Sequence, residues 1–217
     1  GTVAPTQTPL PPGSLGRWHD TGVTLGTARE AHAVLAVEHP TVAGSYRLFA
    51  FGGRGAGGAP LATYEAATVT LLAPVQAKGT EQQTLSPFAP GAATLGTARA
   101  DLGAALVDAD DVDVLAPGEG WIFLGPGQGA AGIETEMDAA LLLADGTLAP
   151  FVTPKKQATA GAGYGMGDAN GFLFMFGGAG GAATSGGVSG ELCLGVGLGG
   201  CNPDELPEIR NWNNLGT

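Results

Sequence analysis

This 217-residue sequence predicts an all-β fold built from consecutive repeats, and two recurring motifs carry that prediction. The first motif is Thr-Leu-Gly-Thr-Ala-Arg, which stands at residues 24–29 and 94–99, and its core Leu-Gly-Thr returns at 215–217. The second motif is a short apolar or aromatic run closed by glycine, at residues 48–53, 121–125 and 173–178. Its closing glycines at positions 52, 125 and 177 are 73 and 52 residues apart, and such a period indicates stacked repeat units. No helix is predicted, because no window has the 3.6-residue apolar spacing of an amphipathic helix.

Each repeat is expected to contain four short strands. The predicted ranges are 31–37, 102–107 and 158–166 for strand one; the glycine-closed runs for strand two; 63–72, 134–143 and 189–195 for strand three; and 84–88 and 147–152 for strand four. Short strands with turn residues at regular spacing are typical of antiparallel all-β folds. Asn170-Gly171 is the predicted two-residue hairpin turn of the third repeat, since both residues tolerate the positive φ that such a turn needs.

The glycine pair after strand two predicts a tight, crowded exit from the sheet. Gly52-Gly53 and Gly177-Gly178 are the two copies. Glycine adopts positive φ without a Cβ penalty and lets a neighbouring backbone approach closely. We therefore expect the chain to turn out of the sheet here, and we expect the preceding aromatic residues to fill the space between neighbouring units.

These motifs together resemble those of the kelch family. The resemblance rests on the double glycine after an aromatic strand, on Trp18 and Trp212 shortly before the repeated word, on Arg29 and Arg99 at the start of strand one, and on His32. It covers almost the whole chain, although the second repeat has Gly125-Pro126 in place of the double glycine and the third lacks the arginine. It implies a β-propeller segment of four-stranded antiparallel blades. Propellers of this family usually close with six or seven blades, so the chain resembles part of such a ring.

The repeat spacing divides the chain into a linker and three blades. Residues 1–16 are predicted to be a Pro/Thr-rich linker or mature N-terminus, and residues 17–217 the propeller segment. The expected blades are 17–88, 89–152 and 153–210, with a next blade starting at 211. Open stacks leave apolar faces at both ends, so we expect either further blades of the same protein or another chain to complete the ring.

The charge balance excludes some partners. Nine Lys and Arg residues against 20 Asp and Glu give a net charge of −11, and nucleic-acid binding needs a basic footprint instead. No apolar run approaches the ~18 residues that a membrane-spanning helix requires. The sequence therefore predicts no nucleic-acid partner and no membrane span.

The two cysteines of the chain bear on its compartment. Cys193 and Cys201 are expected to pair as a disulfide that closes a glycine-rich loop. Such a bond indicates an oxidising compartment, so an extracellular, cell-surface or periplasmic location is expected. The alternative is a pair of reduced thiols in a cytosolic protein.

An acidic cluster is the candidate metal site. Asp108, Asp110, Asp111 and Asp113 offer carboxylate oxygens of the kind that Ca²⁺ prefers. The pattern lacks the glycine and the distal glutamate of an EF-hand, and a solvated acidic loop is the alternative. No other cofactor is predicted.

No catalytic residue is predicted. His32 is interpreted as a packed, hydrogen-bonded strand residue rather than a base, and Glu134, Glu136 and Asp138 as one polar strand face rather than an acid/base pair. The preferred function is a binding or structural module that presents loops to a protein or glycan partner. The alternative is part of an enzyme whose active site lies on the propeller axis.

Overall fold

The computed structural model describes residues 20–71, 83–108, 119–154, 161–179, 186–193 and 207–215. Within those residues the chain forms strands and no helix. The strands build three antiparallel sheets in succession along the sequence. The protein is therefore all-β, as predicted, and its sheets are compatible with propeller blades.

The first sheet has four strands in sequence order and a short fifth. Its strands are β1 (Ala33–Glu38), β2 (Ser45–Phe51), β3 (Tyr64–Leu71), β4 (Gln83–Leu85) and β5 (Ala89–Pro90). The order is β1-β2-β3-β4, and β5 also pairs with β3. The predicted strand four at 84–88 thus corresponds to two shorter strands that lie beside the same neighbour.

The second sheet has three strands, and the predicted fourth at 147–152 is wrong. The strands are β6 (Ala104–Asp108), β7 (Gly120–Leu124) and β8 (Asp138–Leu142). In place of a fourth strand, two isolated bridges join Leu148 to Leu142 and Val152 to Ala139. Pro150 lies between the two bridged residues and has no N–H to donate, so it interrupts a regular ladder there.

The third sheet is complete, with β9 (Ala162–Ala169), β10 (Phe172–Ala179), β11 (Gly187–Cys193) and β12 (Glu208–Asn214) in antiparallel order. The predicted Asn170-Gly171 turn is confirmed, with φ values of 50° and 77°. The outermost strand β12 was not predicted and crosses the expected boundary between residues 210 and 211. The strand contains three asparagines, a residue type that is depleted in strands. The sequence pattern therefore did not indicate a strand there.

The three sheets pack side by side through their first strands and through two apolar clusters. β1 contacts β6, and β6 contacts β9. One cluster lies between the first and second sheets and includes Phe49, Phe51 and Leu124; the other lies between the second and third and includes Phe123 and Met175. Each sheet thus buries one face against the next, which is the packing that stacked repeats require.

The glycine pairs behave as predicted. Gly52 and Gly53 have φ of 58° and 93°, and Gly177 and Gly178 have φ of 72° and 86°. A Cβ on Gly52 would lie 2.5 Å from the backbone oxygen of Arg99 in the second sheet. The glycine therefore permits both the turn and the close approach of the neighbouring repeat.

The aromatic residues before the glycines fill the inter-sheet space in the first sheet but not in the third. Phe49 and Phe51 are buried, whereas Phe176 is 53% exposed. The expectation for the third repeat stays a prediction, because no described residue covers that face of β10. In the described part of the chain, no helix has the length and apolar character needed to cross a membrane.

Candidate functional site: a loop rim held by buried arginines

The repeated Thr-Leu-Gly-Thr-Ala-Arg motif folds around a carboxylate of strand three. In the first repeat, the backbone N–H groups of Gly26 and Thr27 donate to Glu65 Oε2 and Oε1 over 2.6 and 2.8 Å. Arg29 Nη2 donates to Glu65 Oε1 over 2.7 Å, and both side chains are almost fully buried. We call these four residues the first anchor. Hydrogen bonds that involve an ionised partner are stronger than those between neutral groups. These bonds to Glu65 therefore hold the repeated motif against β3.

The same arginine also closes a loop. Arg29 Nη1 donates to the carbonyl oxygens of Gly52 and Thr63 over 2.8 and 3.0 Å. Gly52 directly follows β2, and Thr63 directly precedes β3. One guanidinium therefore ties the two ends of the 52–63 loop to each other and to the start of the repeat.

A second anchor repeats the arrangement in the second sheet. Arg99 Nη2 forms a buried ion pair with Asp138, and Gly96 N–H donates to Asp138 Oδ2 over 3.2 Å. Arg99 Nη1 donates to the carbonyl oxygens of Gly125, the first residue of the 125–137 loop, and of Glu136, near its other end. The two identical motifs thus make similar connections, although the second donates one backbone N–H to its carboxylate where the first donates two.

A step between repeats identifies the corresponding position in the third. Ala31 and Asp101 lie two residues after Arg29 and Arg99 and both have positive φ, at 52° and 53°. Asp101 N–H donates to Ala31 O over 2.8 Å, and Gly163 N–H donates in turn to Asp101 O over 2.5 Å. Gly163 also has positive φ, at 75°. This places a glycine, residue 161, where the third arginine would stand, in agreement with the sequence analysis.

The carboxylates of the two anchors differ in their affinity for protons. Burial acts to raise the pKa of Glu65, but hydrogen bonds from Arg29, Gly26 and Thr27 outweigh it, so its pKa is lowered. Burial also acts on Asp138, and here it outweighs the charge of Arg99, so the pKa of Asp138 is raised. Asp138 receives one backbone N–H where Glu65 receives two. The second anchor therefore holds a less well-solvated charge.

The anchored loops lie at one rim of the stacked sheets, which we call the anchored rim. It consists of the 52–63 and 125–137 loops with the residues that precede β1 and β6. Arg54 pairs with Glu30 and Pro60, and Gln128 with Ala100 and Ile133, as isolated backbone bridges. Arg54 Nη2 reaches Asp101 Oδ2 at 2.5 Å, with 29% and 36% of the side chains exposed. This ion pair joins the first sheet to the second within reach of solvent.

His32 also lies near this rim. It is half-buried, and its Nδ1 has no hydrogen-bond partner among the described atoms. Burial, helped by the charge of Arg29, lowers the pKa of His32. The ring is packed as predicted.

The opposite rim holds the described loops at residues 39–44, between β1 and β2, and 143–147, after β8. Thr41 Oγ1 donates to Ala144 O over 3.1 Å, and Arg47 Nε donates to Gly146 O over 3.1 Å. These bonds join the first and second sheets at that end. The acidic segment begins here, because Asp108 closes β6 opposite Gly120.

The predicted calcium and disulfide sites stay predictions. Of the acidic cluster, the side chain of Asp108 and the whole of Asp110, Asp111 and Asp113 lie outside the described residues. Cys193 ends β11, and Cys201 lies outside the described part. Among the residues that the structure describes, no group of three or more His, Cys, Asp or Glu could hold a metal ion.

The predicted polar strand face at residues 134–138 is wrong. Glu134 and Glu136 precede β8, and only Asp138 belongs to it. Asp138 is 2% exposed because Arg99 neutralises it inside the structure. The pairing was missed because the acid lies 39 residues from its arginine; the available signal was the exact repetition of the arginine-containing word.

The sequence matches no protein-family model and no curated protein.

Proposed function

We propose that this chain is a segment of a kelch-like β-propeller and that it acts as a binding or structural module for a protein or glycan partner. Support for the kelch-like reading comes from the double glycines with positive φ and from the arginine at the start of strand one in two repeats. Three successive sheets that contact one another through their first strands also favour it.

The observation that carries the function is the pair of buried anchors beneath an accessible rim. Arg29 and Arg99 tie together both ends of the loops between strands two and three. Above them, Glu30 is exposed, and Arg54 and Asp101 are partly exposed. Loops positioned by a rigid scaffold are where proteins commonly place recognition residues.

The chemistry of the rim favours a polar partner. Glu30, Arg54 and Asp101 alternate in sign, and residues 56–59 form an exposed turn of alanine and glycine. Arginine is enriched in recognition surfaces because its planar fork binds carboxylates and other acceptors in two places. Hydroxyl-rich glycans and the polar backbone of a protein loop both offer such acceptors.

An enzyme is the second candidate. The half-buried His32 and Asp101 lie shortly before the first strands β1 and β6, through which the sheets contact one another, and Arg54 pairs with Asp101. In this proposal, further blades complete an active site on the axis. Replacement of Asp101 by Asn would then abolish turnover. A function that consists only of partner binding to the loops makes no such prediction.

We also propose an extracellular, cell-surface or periplasmic location, because a Cys193–Cys201 disulfide requires oxidising conditions. The intact mass under non-reducing conditions tests this. A deficit of about 2 Da relative to the reduced chain supports the bond, and full reactivity of both thiols in the native protein would contradict it.

The binding function is tested with a matched pair of charge reversals. Partners are first selected on a glycan array and from a library of displayed proteins. E30K changes the anchored rim, and E38K makes the same change at the exposed end of β1, at the opposite rim. We expect E30K to weaken binding about tenfold or more, as loss of one good contact does, and E38K to leave it unchanged. Loss with E38K alone, or with neither variant, would contradict the proposal.

A further inference from the structure

One face of the third sheet carries a row of exposed aromatic rings. Phe172 and Phe176 are 37% and 53% exposed, and Phe174 lies between them on the same face of β10. The Phe174 and Phe176 rings are parallel within 3°, with centroids 6.2 Å apart. On the other face of β10, Leu173 and Met175 are buried against the second sheet. We call the exposed row the phenylalanine face.

Strand two of the preceding sheets is divided in the same way, and there the aromatic face of β2 and both faces of β7 are covered. Phe49 and Phe51 of β2 point into the first inter-sheet cluster, where Ile122 and Leu124 of β7 meet them. The alternate residue of β7, Phe123, points into the second cluster with Leu173 and Met175 of β10. Within the chain, an aromatic face of one sheet therefore packs twice against an aliphatic face of the next.

The matching aliphatic face lies at the other end of the stack. Val34 is 63% exposed and Ala36 is also exposed on β1. Leu48 of β2 lies opposite Ala36 on the same face and is half-buried. We call these residues the valine face. In both internal contacts an aromatic face packs against an aliphatic face, and the valine face is aliphatic in the same way.

The hydrogen-bond step between repeats has the same direction. Asp101 N–H donates to Ala31 O, and Gly163 N–H donates to Asp101 O. Each step joins the positive-φ residue of one repeat to that of the next. One more step of the same kind would bring the N–H of an Ala31 to the carbonyl oxygen of Gly163.

We propose that a second copy of this chain occupies the phenylalanine face with its valine face, and that the reverse contact closes a ring of two copies. Two copies supply six sheets, within the range of about four to eight blades found in propellers. A head-to-tail contact forms a closed ring when its rotation closes. This inference rests on the packing of the sheets and not on the binding function of the rim.

The mass of the chain in solution tests the ring. The 21.4 kDa chain should sediment at about 43 kDa, the mass of two copies, with a defined dimer in native mass spectrometry. F176E and V34K should each raise the dimer dissociation constant by at least about tenfold, because a charge would be buried in an apolar contact. V42K is the matched control: Val42 is 47% exposed in the turn between β1 and β2, away from both faces, so it should stay dimeric. F176S, which removes the ring without adding charge, should weaken the dimer in the same direction.

A mixture of the two variants separates head-to-tail from symmetric contact. A heterodimer of F176E and V34K copies has one unchanged interface and one in which Glu meets Lys, so mixing should restore the 43 kDa species. If two phenylalanine faces packed on each other instead, V34K would leave the dimer unchanged. Mixing with V34K would then not restore the dimer that F176E had lost. A monomeric wild-type chain, three or more copies, or a V34K variant that stays fully dimeric would overturn the proposal. E30K should leave the mass unchanged, so failure of the ring and failure of the rim proposal are distinguishable.

Discussion

The first and second anchors begin from the same six-residue word and hold their carboxylates in different ways. Glu65 accepts two backbone N–H bonds and one guanidinium, and its pKa is lowered. Asp138 accepts one backbone bond beside its guanidinium, and its pKa is raised. The aspartate is one methylene shorter, so the two N–H groups of the word do not both reach it. The same motif can therefore hold a carboxylate with a lowered pKa in one repeat and a carboxylate with a raised pKa in the next.

The largest expected effect separates the two arginines. R99M removes a guanidinium that is fully buried with Asp138, and breaking a buried pair costs about 3–5 kcal/mol. R29M should cost less, about 2–3 kcal/mol, because Glu65 keeps two backbone donors. Urea unfolding of both variants checks the order. An equal cost, or a larger one for R29M, would remove the difference between the anchors.

The next effect compares the glycine pairs of the first and third sheets. A Cβ on Gly53 would lie 2.6 Å from Glu30 O, a backbone atom, so G53A should cost about 2–4 kcal/mol through strain and overpacking. A Cβ on Gly178 would lie 2.6 Å from the Tyr164 ring, which can move, and 3.0 Å from the nearest backbone atom, Ala162 O. G178A should therefore cost about 1–2 kcal/mol. Thermal unfolding of the two variants measures this, and G178A as the more damaging change would contradict the account.

Acidification should affect the two carboxylates in opposite directions. Glu65 has a lowered pKa, so its contribution is present above its ordinary value of 4.5 and is lost as the pH falls through the folded pKa. Asp138 has a raised pKa, so its contribution is present below its ordinary value of 3.8 and is lost as the pH rises through the folded pKa. Urea midpoints between pH 3 and 7 should fall less steeply on acidification in E65Q and more steeply in D138N. The same change of slope in both variants would show that the anchors do not differ in charge state.

The smallest effect concerns the positive-φ residues that link the repeats. The left-handed backbone conformation costs free energy at Ala31, which has a Cβ, and not at Gly163, which has none. A31G should stabilise the protein by about 0.5 kcal/mol, the left-handed cost less the extra entropy of glycine. G163A should destabilise it by about 1 kcal/mol, since a Cβ there meets nothing within 4 Å and only the backbone is strained. Melting temperatures check the signs, and two shifts of the same sign would contradict the assignment.

Local patterns predicted most of the strands, the Asn170-Gly171 turn and the glycine exits, because neighbouring residues decide those features. The anchors were beyond local patterns. Glu65 and Asp138 are different acids, 36 and 39 residues from their arginines, and nothing in their immediate surroundings marks them as buried. The fourth strand of the second repeat failed for a related reason, since Pro150 interrupts a ladder that hydrophobicity alone favours.

A double-mutant cycle in each anchor tests most directly whether the repeated word fastens strand three. Free energies of unfolding are measured for R29M, E65Q and their double variant, and for R99M, D138N and their double variant. The structure predicts coupling energies of about 1–3 kcal/mol in both cycles, as for residues that share a buried ion pair. Coupling below about 0.3 kcal/mol in either cycle, the level of independent sites, would show that the arginine and the carboxylate do not act together there.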